Sequence, residues 1–475
     1  MLGVALTSWV QLARVPGSAT IWNSLWAEDS SVFLTDAYHH GLLHNLFLPH
    51  SGYYQVIGRL VAQPAAHMPV SWAAAWLGWS SAVVVSLCGL VVWNRSGQLT
   101  ERLLTRLMLA LLVPLMPQLI FEVTGAANDL HWYLIYTLFW ILIAPYRSKR
   151  GVVFAVLFVG LASLSDPLTG IMILAGLVGW LLAAAPTDWR WVARWSGEWP
   201  GRLGQHRPAG RASWLPVAAM LALVAGEIAQ FALHAHLQHV AVSRRELPEI
   251  YGLRVALSSL VGDRLVVALY ANLGRIVIIL GTLAALLIFV GLLLRSGWNR
   301  ISVIAVTAGV LSVVYLFVPL DLRGDATMLV QPGFTLNNSR YTVLPLWLLF
   351  TAFILLADVA PRPSIRLRGR NLDWLGRWPS RSILIGIGVM LLVQSATESS
   401  MLTVRSGEQT WTSTVHKATD SCHQPVSKRY RQQLVVVDGV GVGPDDVVIL
   451  TAPYSPPGKL PFYGVIVSCR RLLKN

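Results

Sequence analysis

The feature that most limits how this chain can fold is a series of apolar runs, each near 20 residues, repeated along most of its length. An α-helix rises 1.5 Å per residue, so about 20 apolar residues cross the hydrocarbon core of a bilayer. Runs of that kind cover 70–93, 107–121, 130–145, 213–235, 275–295, 301–319, 342–360 and 382–396. The stretch 151–185 is too long for one crossing and is broken by Ser165-Asp166-Pro167, which predicts two short spans, 151–164 and 171–185, joined by a tight turn. Residues 1–20 contain a shorter apolar core ending at Arg14 and Pro16, which reads as a first span with an abbreviated start; without a basic segment ahead of it, a cleaved signal peptide is the weaker reading. The expectation is an all-α polytopic membrane protein of about eleven transmembrane helices.

Composition agrees. Only 13% of the side chains are charged, about half the share of a soluble domain. The net charge of +14 sits mostly in alternate loops. One set of loops holds nineteen Lys and Arg residues: 95, 102 and 106; 147, 149 and 150; 190, 194, 202, 207 and 211; 295 and 300; and 362, 366, 368, 370, 377 and 381. The other holds seven: Arg59, Arg244, Arg245, Arg254, Arg264, Arg323 and Arg340. The positive-inside rule makes the first set cytoplasmic, so loops 21–69, 122–129, 165–170, 236–274, 320–341 and the tail 397–475 face outward. The basic charge is thus a topology signal and a grip on membrane lipids, not a nucleic-acid footprint. Trp189, Trp191, Trp195 and Trp199, interleaved with Arg190 and Arg194, and then Trp374 and Trp378, read as interfacial helices.

The tail changes character. Short β-like runs at Gln433 to Val437, Val447 to Thr451 and Tyr463 to Ser468 predict a small extracytoplasmic β-containing module at 397–475, following a membrane domain at 1–396. Cys422 and Cys469 can pair there, in an oxidising compartment. The glycines at 439, 441 and 443 fit a β turn better than a phosphate loop.

Polar residues concentrate in the outer loops. The first, 21–69, carries Glu28 and Asp29 just past the opening hydrophobic segment, then Asp36, His39, His40 and Arg59. Adjacent carboxylates near a membrane span cost desolvation free energy unless paired or functional; the alternative is that they cap a helix starting near Ser30. Asp129 and His131 follow in the second outer loop, Asp166 in the third, and Arg340-Tyr341 where a late span begins. Arg340 can hold a phosphate bidentately, with Arg244 and Arg245 as the alternative clamp, unless these two simply pair with Glu246 or Glu249. His234, His236 and His239 do not converge on one helical face, so the spacing predicts no metal site, and no cofactor is indicated.

Trp-Ala-Glu-Asp-Ser-Ser-Val-Phe at 26–33, Gly-Tyr-Tyr at 52–54 with Gly-Arg-Leu at 58–60, Asn-Asp-Leu-His-Trp at 128–132, Leu-Ser-Asp-Pro at 164–167 and Ser-Arg-Tyr at 339–341, together with the span pattern, resemble the GT-C superfamily of membrane glycosyltransferases. The resemblance implies a bacterial inner-membrane enzyme with an extracytoplasmic active site. It would move a sugar from a polyprenyl-phosphate donor to a cell-envelope glycan or lipid, with inversion. By the same resemblance a first-loop acid is the general base: Asp29 by a narrow preference, with Glu28 orienting it. Arg340, Tyr341, Arg244, Arg245 and Arg59 would contact substrate, as would Asp129, His131 and Asp166. Two other classes compete. A flippase of a lipid-linked saccharide would use the intramembrane acid Glu227. A polysaccharide polymerase or ligase calls for arginine and histidine in a late outer loop, and 320–341 has no histidine.

Overall fold

The computed structural model describes residues 2–14, 20–120, 122–144, 148–184, 215–234, 244–323, 340–359, 366–367, 370–371, 379–398, 410–424, 445–450 and 464–474. Among these, six helices are long and apolar enough to cross a membrane: Val70–Ser96, Leu103–Ile120, Ile276–Ser296, Arg300–Asp321, Arg340–Asp358 and Ser380–Glu398. Four shorter apolar helices, Leu2–Ala13, Leu130–Ile143, Pro167–Leu182 and Ala218–Phe231, fall in runs where the sequence also predicts spans. The protein is mostly helical, with several apolar helices of a multi-pass membrane protein, six of them of spanning length among the described residues; eleven remains the sequence expectation.

The chain forms two compact units. One comprises Met1–Leu87, Leu119–His131 and Ser399–Asn475; the other comprises Cys88–Gln118 and Trp132–Glu398.

The second unit is organised around Arg340–Asp358, whose entire hydrophobic window is buried. It packs against Arg300–Arg323 along its length, and against Leu103–Leu115, Ile276–Ser296 and Ser380–Glu398. Trp347 at its centre donates Nε1–H to the Leu112 carbonyl at 2.8 Å and stacks near Tyr133 and Tyr136. The outer helices are apolar on their free faces: Ile279, Leu283, Leu286 and Leu287 are exposed, as lipid-facing residues of a bundle must be. At one end Asp358 is held by Thr100, Thr105 and Arg102. The predicted break at 165–167 is a turn between helices Lys149–Ser163 and Ile173–Ala184; the Asp166 carboxylate accepts the Leu168 N–H at 2.7 Å, and Pro167 opens a 3-10 turn.

In the first unit, helix Leu2–Ala13 lies against the first long span through a polar seam, beside an apolar cluster of Leu12, Ile21 and Ala82. Thr7, Ser8 and Gln11 all reach Ser86, and Ser8 and Gln11 also donate to the Ala82 carbonyl. Such bonds satisfy hydroxyl and amide groups that hydrocarbon would leave bare. The loop after this helix folds into short helical pieces, Asp29–Leu34, Thr35–His39, Leu42–Leu46 and Val56–Ala62.

The C-terminal segment contributes helix Trp411–Cys422 and one antiparallel hairpin, Asp446–Leu450 with Gly464–Ser468, registered Asp446 opposite Ser468 and Leu450 opposite Gly464. The third predicted strand, 433–437, lies outside the described residues, as do the tryptophan-rich stretches at 189–199 and 374–378. Cys422 and Cys469 are joined as a disulfide, Cα to Cα 5.5 Å.

Candidate functional site

The segment that carries the acidic pair is irregular for a definable reason. Ala27 adopts φ +43°, the left-handed region that an alanine rarely enters, and the chain then winds into a π-helix over Asp29–Leu34. Wide turns of this kind recur at functional sites, and a non-glycine residue in that region costs about 1–3 kcal/mol that surrounding contacts must offset. Those contacts are on hand: Trp26 and Ala27 pack on Ala126, and the Ser30 hydroxyl donates to the Ala27 carbonyl at 2.6 Å.

The two carboxylates have different surroundings. Asp29 is 1% exposed, and its two oxygens accept the main-chain N–H groups of Ala127 (3.0 Å) and Asn128 (2.8 Å). It clamps the 122–131 loop to the first loop. Glu28 is half-buried and accepts the Asn128 side-chain amide at 2.8 Å. Asp129 and His131, both buried, continue this same loop. The loop owes its path to Gly125, at φ +71°, where an added Cβ would fall 2.5 Å from Ile21 Cγ2. The unit thus gathers Glu28, Asp29 and the Asn128–His131 stretch into one region.

Arg59 is an internal strut of the same unit. It is 1% exposed, donates Nη1–H to Asp36 (2.7 Å) and to Asn45 (2.6 Å), and stacks over Phe33. Burial pulls its guanidinium below the usual arginine range, and the Asp36 carboxylate opposes that. Asn45 in turn donates to Gln63. Nearby, His40 is held below the usual histidine value by partial burial, with Asp36 pulling the other way.

The C-terminal hairpin reaches into this region. The Ile466 N–H donates to Thr35 Oγ1 at 3.1 Å, and Arg471 lies over the Tyr38 ring, 4.2 Å from its centroid. Burial raises the Tyr38 phenol above its ordinary value, against the pull of Arg471. Trp411 donates to the Val70 carbonyl, and Thr412 bonds Asn23.

The other residues singled out in the sequence belong to the second unit. Arg340 opens the central helix, its guanidinium 5.3 Å from the Tyr341 ring, and Tyr341 meets Trp132 edge to face at 6.0 Å. The preceding residues, 324–339, lie outside those described. Arg244 is exposed and pairs with Asp321 rather than with Glu246 or Glu249; Glu249 pairs with Arg275 instead, and Arg245 is exposed. Asp166 is fully buried and caps its own turn. Of the three histidines weighed as ligands, 236 and 239 fall outside the described residues. Among the described ones no cluster of three His, Cys, Asp or Glu is arranged to hold a metal.

The burial of Arg254, counted in the sequence only among the outer-loop arginines, escaped sequence reasoning. Arg254 sits in a second π-helix, Gly252–Leu257, 2% exposed and 3.7 Å from the equally buried Asp263. The only sequence signal is a single charge inside the apolar string Gly-Leu-Arg-Val-Ala-Leu.

No protein-family model and no curated protein matches the chain. Among solved structures it is similar to the oligosaccharyltransferase of Archaeoglobus fulgidus, crystallised with zinc and sulfate, at 12% identity and a TM-score of 0.37, over 96% of this chain and 59% of that one. The chain therefore spans about three-fifths of that protein's length, and an overlap this loose decides nothing about chemistry.

Proposed function

We propose that the protein is a GT-C-like glycosyltransferase that moves a sugar from a polyprenyl-phosphate donor to a hydroxyl of an extracytoplasmic glycan or lipid. The observation that carries the reading is the acidic pair: a strained turn at Ala27 and a π-helix present Glu28 and Asp29 together against the Asn128–His131 loop, where the sequence motifs of both loops meet. The arginine asymmetry of the loops supports an outward-facing site, and the spans supply a membrane for a lipid-borne donor.

In this reading Glu28 is the general base. Asp29 spends both oxygens on main-chain N–H groups, the arrangement of a positioning residue, whereas Glu28 is the more accessible of the two. This reverses the narrow preference for Asp29 that resemblance alone gives. The acceptor O–H proton passes to Glu28 as its oxygen bonds to the anomeric carbon; the bond from that carbon to the phosphate oxygen breaks, and polyprenyl phosphate leaves with the electron pair. The sequence resemblance alone assigns the departing phosphate to Arg340, whose guanidinium lies against the Tyr341 ring within the second unit. Asp129 and His131 contact the sugars. A single displacement inverts the anomeric centre.

The test uses purified protein in vesicles with a panel of radiolabelled polyprenyl-phosphate sugars and crude envelope acceptor. Wild type releases polyprenyl phosphate and Glu28→Gln does not. Intact donor that merely changes leaflet would replace this reading with a flippase, whose best residue is Glu227.

A further inference from the structure

The first loop has its polarity inverted for a segment bathed in water. Its polar side chains are inside. Arg59 and Asn45 are buried and bonded to each other, Asn45 donates to Gln63, and the Gln63 amide reaches back to the His40 carbonyl. Its large apolar side chains are outside. Leu43 is 74% exposed, and Phe47, one helical turn on, is 51% exposed. Leu42 beside them and Leu60 on the neighbouring helix Val56–Ala62 are exposed as well. A segment surrounded by water does the reverse, turning Leu and Phe in and leaving Arg and Asn out. The polar ties hold the apolar face outward: they pin helix Leu42–Leu46 to Val56–Ala62 from the inner side. Paired main-chain bonds between His50 and Tyr53 close the segment beyond it.

Exposed apolar patches mark contacts with proteins or with membranes, and two observations select the membrane. The first is the lack of charge. Between Asp36 and Arg95 the sequence holds one Asp, Glu, Lys or Arg, and that one is the buried Arg59. The second is continuity with a span in the same compact unit. From Gln63–His67 the chain runs directly into Val70–Ser96, the first helix long and apolar enough to cross a membrane. There Trp72, Trp79, Val83 and Leu87 are exposed at helical spacing, the stripe that a lipid-facing helix presents. Trp72 stands at the head of that span, as the tryptophans of membrane interfaces do. Gln63, which anchors the apolar face through Asn45, precedes Trp72 by nine residues.

We infer that the face formed by Leu42, Leu43, Phe47 and Leu60 is a membrane-contact surface, inserted among the lipids beside the first span. It ties the loop that carries Glu28 and Asp29 to the bilayer. The inference stands on polarity and charge alone, and its failure would leave the transferase reading untouched.

The experiment places a nitroxide label on Leu43→Cys in the full chain, in vesicles of phosphatidylethanolamine and phosphatidylglycerol. Cys88 is buried and Cys422 is bonded to Cys469, so the introduced thiol is the one that reacts. Labels on Leu87→Cys, from the exposed stripe of the span, and on His416→Cys, an exposed position of helix Trp411–Cys422, serve as lipid and water references. Each protein is first matched to wild type by thermal midpoint. Power-saturation spectroscopy then compares collisions with oxygen, which concentrates in lipid, and with a polar nickel chelate, which stays in water. Oxygen should dominate at 43 and 87 and the chelate at 416, and a label on Phe47→Cys should repeat the result at 43. Dominance of the chelate at 43 would overturn the proposal by placing the face in water. A label at 43 shielded from both reagents would overturn it too, showing the face covered by protein. Broadening of that label's spectrum that disappears on dilution with unlabelled chain would identify the cover as a second copy.

Discussion

Removing the Cys422–Cys469 bond tests whether the C-terminal hairpin holds the segment that follows the acidic pair. The bond closes a loop 47 residues apart in sequence. In the chain-entropy account, closing a loop of that length withdraws about 4 kcal/mol from the unfolded ensemble, and measured values commonly fall between 2 and 4. Its partners set where the loss is felt. Cys469 follows directly on strand Gly464–Ser468, whose Ile466 N–H is bound by Thr35, and Arg471 one turn on covers Tyr38. A Cys422→Ser/Cys469→Ser protein should therefore lose amide protection first in 464–472 and then in 29–39. About 4 kcal/mol corresponds to a ceiling near a thousandfold in exchange rate. Hydrogen-exchange mass spectrometry of the protein in nanodiscs, with and without the substitutions, reads both segments separately. Faster exchange in the hairpin with none in 29–39 would refute the idea that the module braces the first loop. No change in either would show that the bond is idle.

Other outcomes follow from the same contacts. Arg59→Met strips the half-buried Asp36 and the buried Asn45 of their shared partner and should destabilise the first unit by about 1–3 kcal/mol, read as a lower thermal midpoint. Gly125→Ala forces a side chain into a left-handed position against Ile21 and should cost about 1–3 kcal/mol, with faster proteolysis of the 122–131 loop; an unchanged rate would contradict the assigned path. His40 should titrate below the ordinary 6.5 by histidine NMR, and Asp36→Asn should lower it further. Because the folded value is depressed, its contribution to stability is complete above 6.5 and declines as pH falls through the folded value. A His40→Gln protein should lack that acid-side loss.

Much of the architecture is legible in the sequence because hydropathy and helix rise act locally. The long spans, the break at Ser165-Asp166-Pro167 and two strands, read at 447–451 and 463–468 and found at Asp446–Leu450 and Gly464–Ser468, need no knowledge of distant residues. The side-chain arrangement is another matter. Arg59 reads as a ligand-binding cation in an outer loop, and only the fold reveals Asp36 and Asn45 closing on it from other turns. Arg244 looks set to pair with a neighbouring glutamate, yet it meets Asp321, 77 positions away. The different surroundings of Glu28 and Asp29 depend on N–H groups about a hundred residues distant, together with an alanine in a conformation its identity disfavours. Arg254 shows the reverse: a lone charge in an apolar string was a visible signal, but its partner Asp263 was visible only in three dimensions.

The central claim is that the acidic pair performs sugar transfer, with Glu28 taking the proton and Asp29 holding the loop. The most direct measurement is release of polyprenyl phosphate by wild type, Glu28→Gln and Asp29→Asn in vesicles, each first matched for fold by thermal midpoint. The account predicts loss of about a hundredfold or more for Glu28→Gln, the range of a general base. Asp29→Asn should lose activity together with protection of the 122–131 loop. Full turnover by a well-folded Glu28→Gln protein would contradict it.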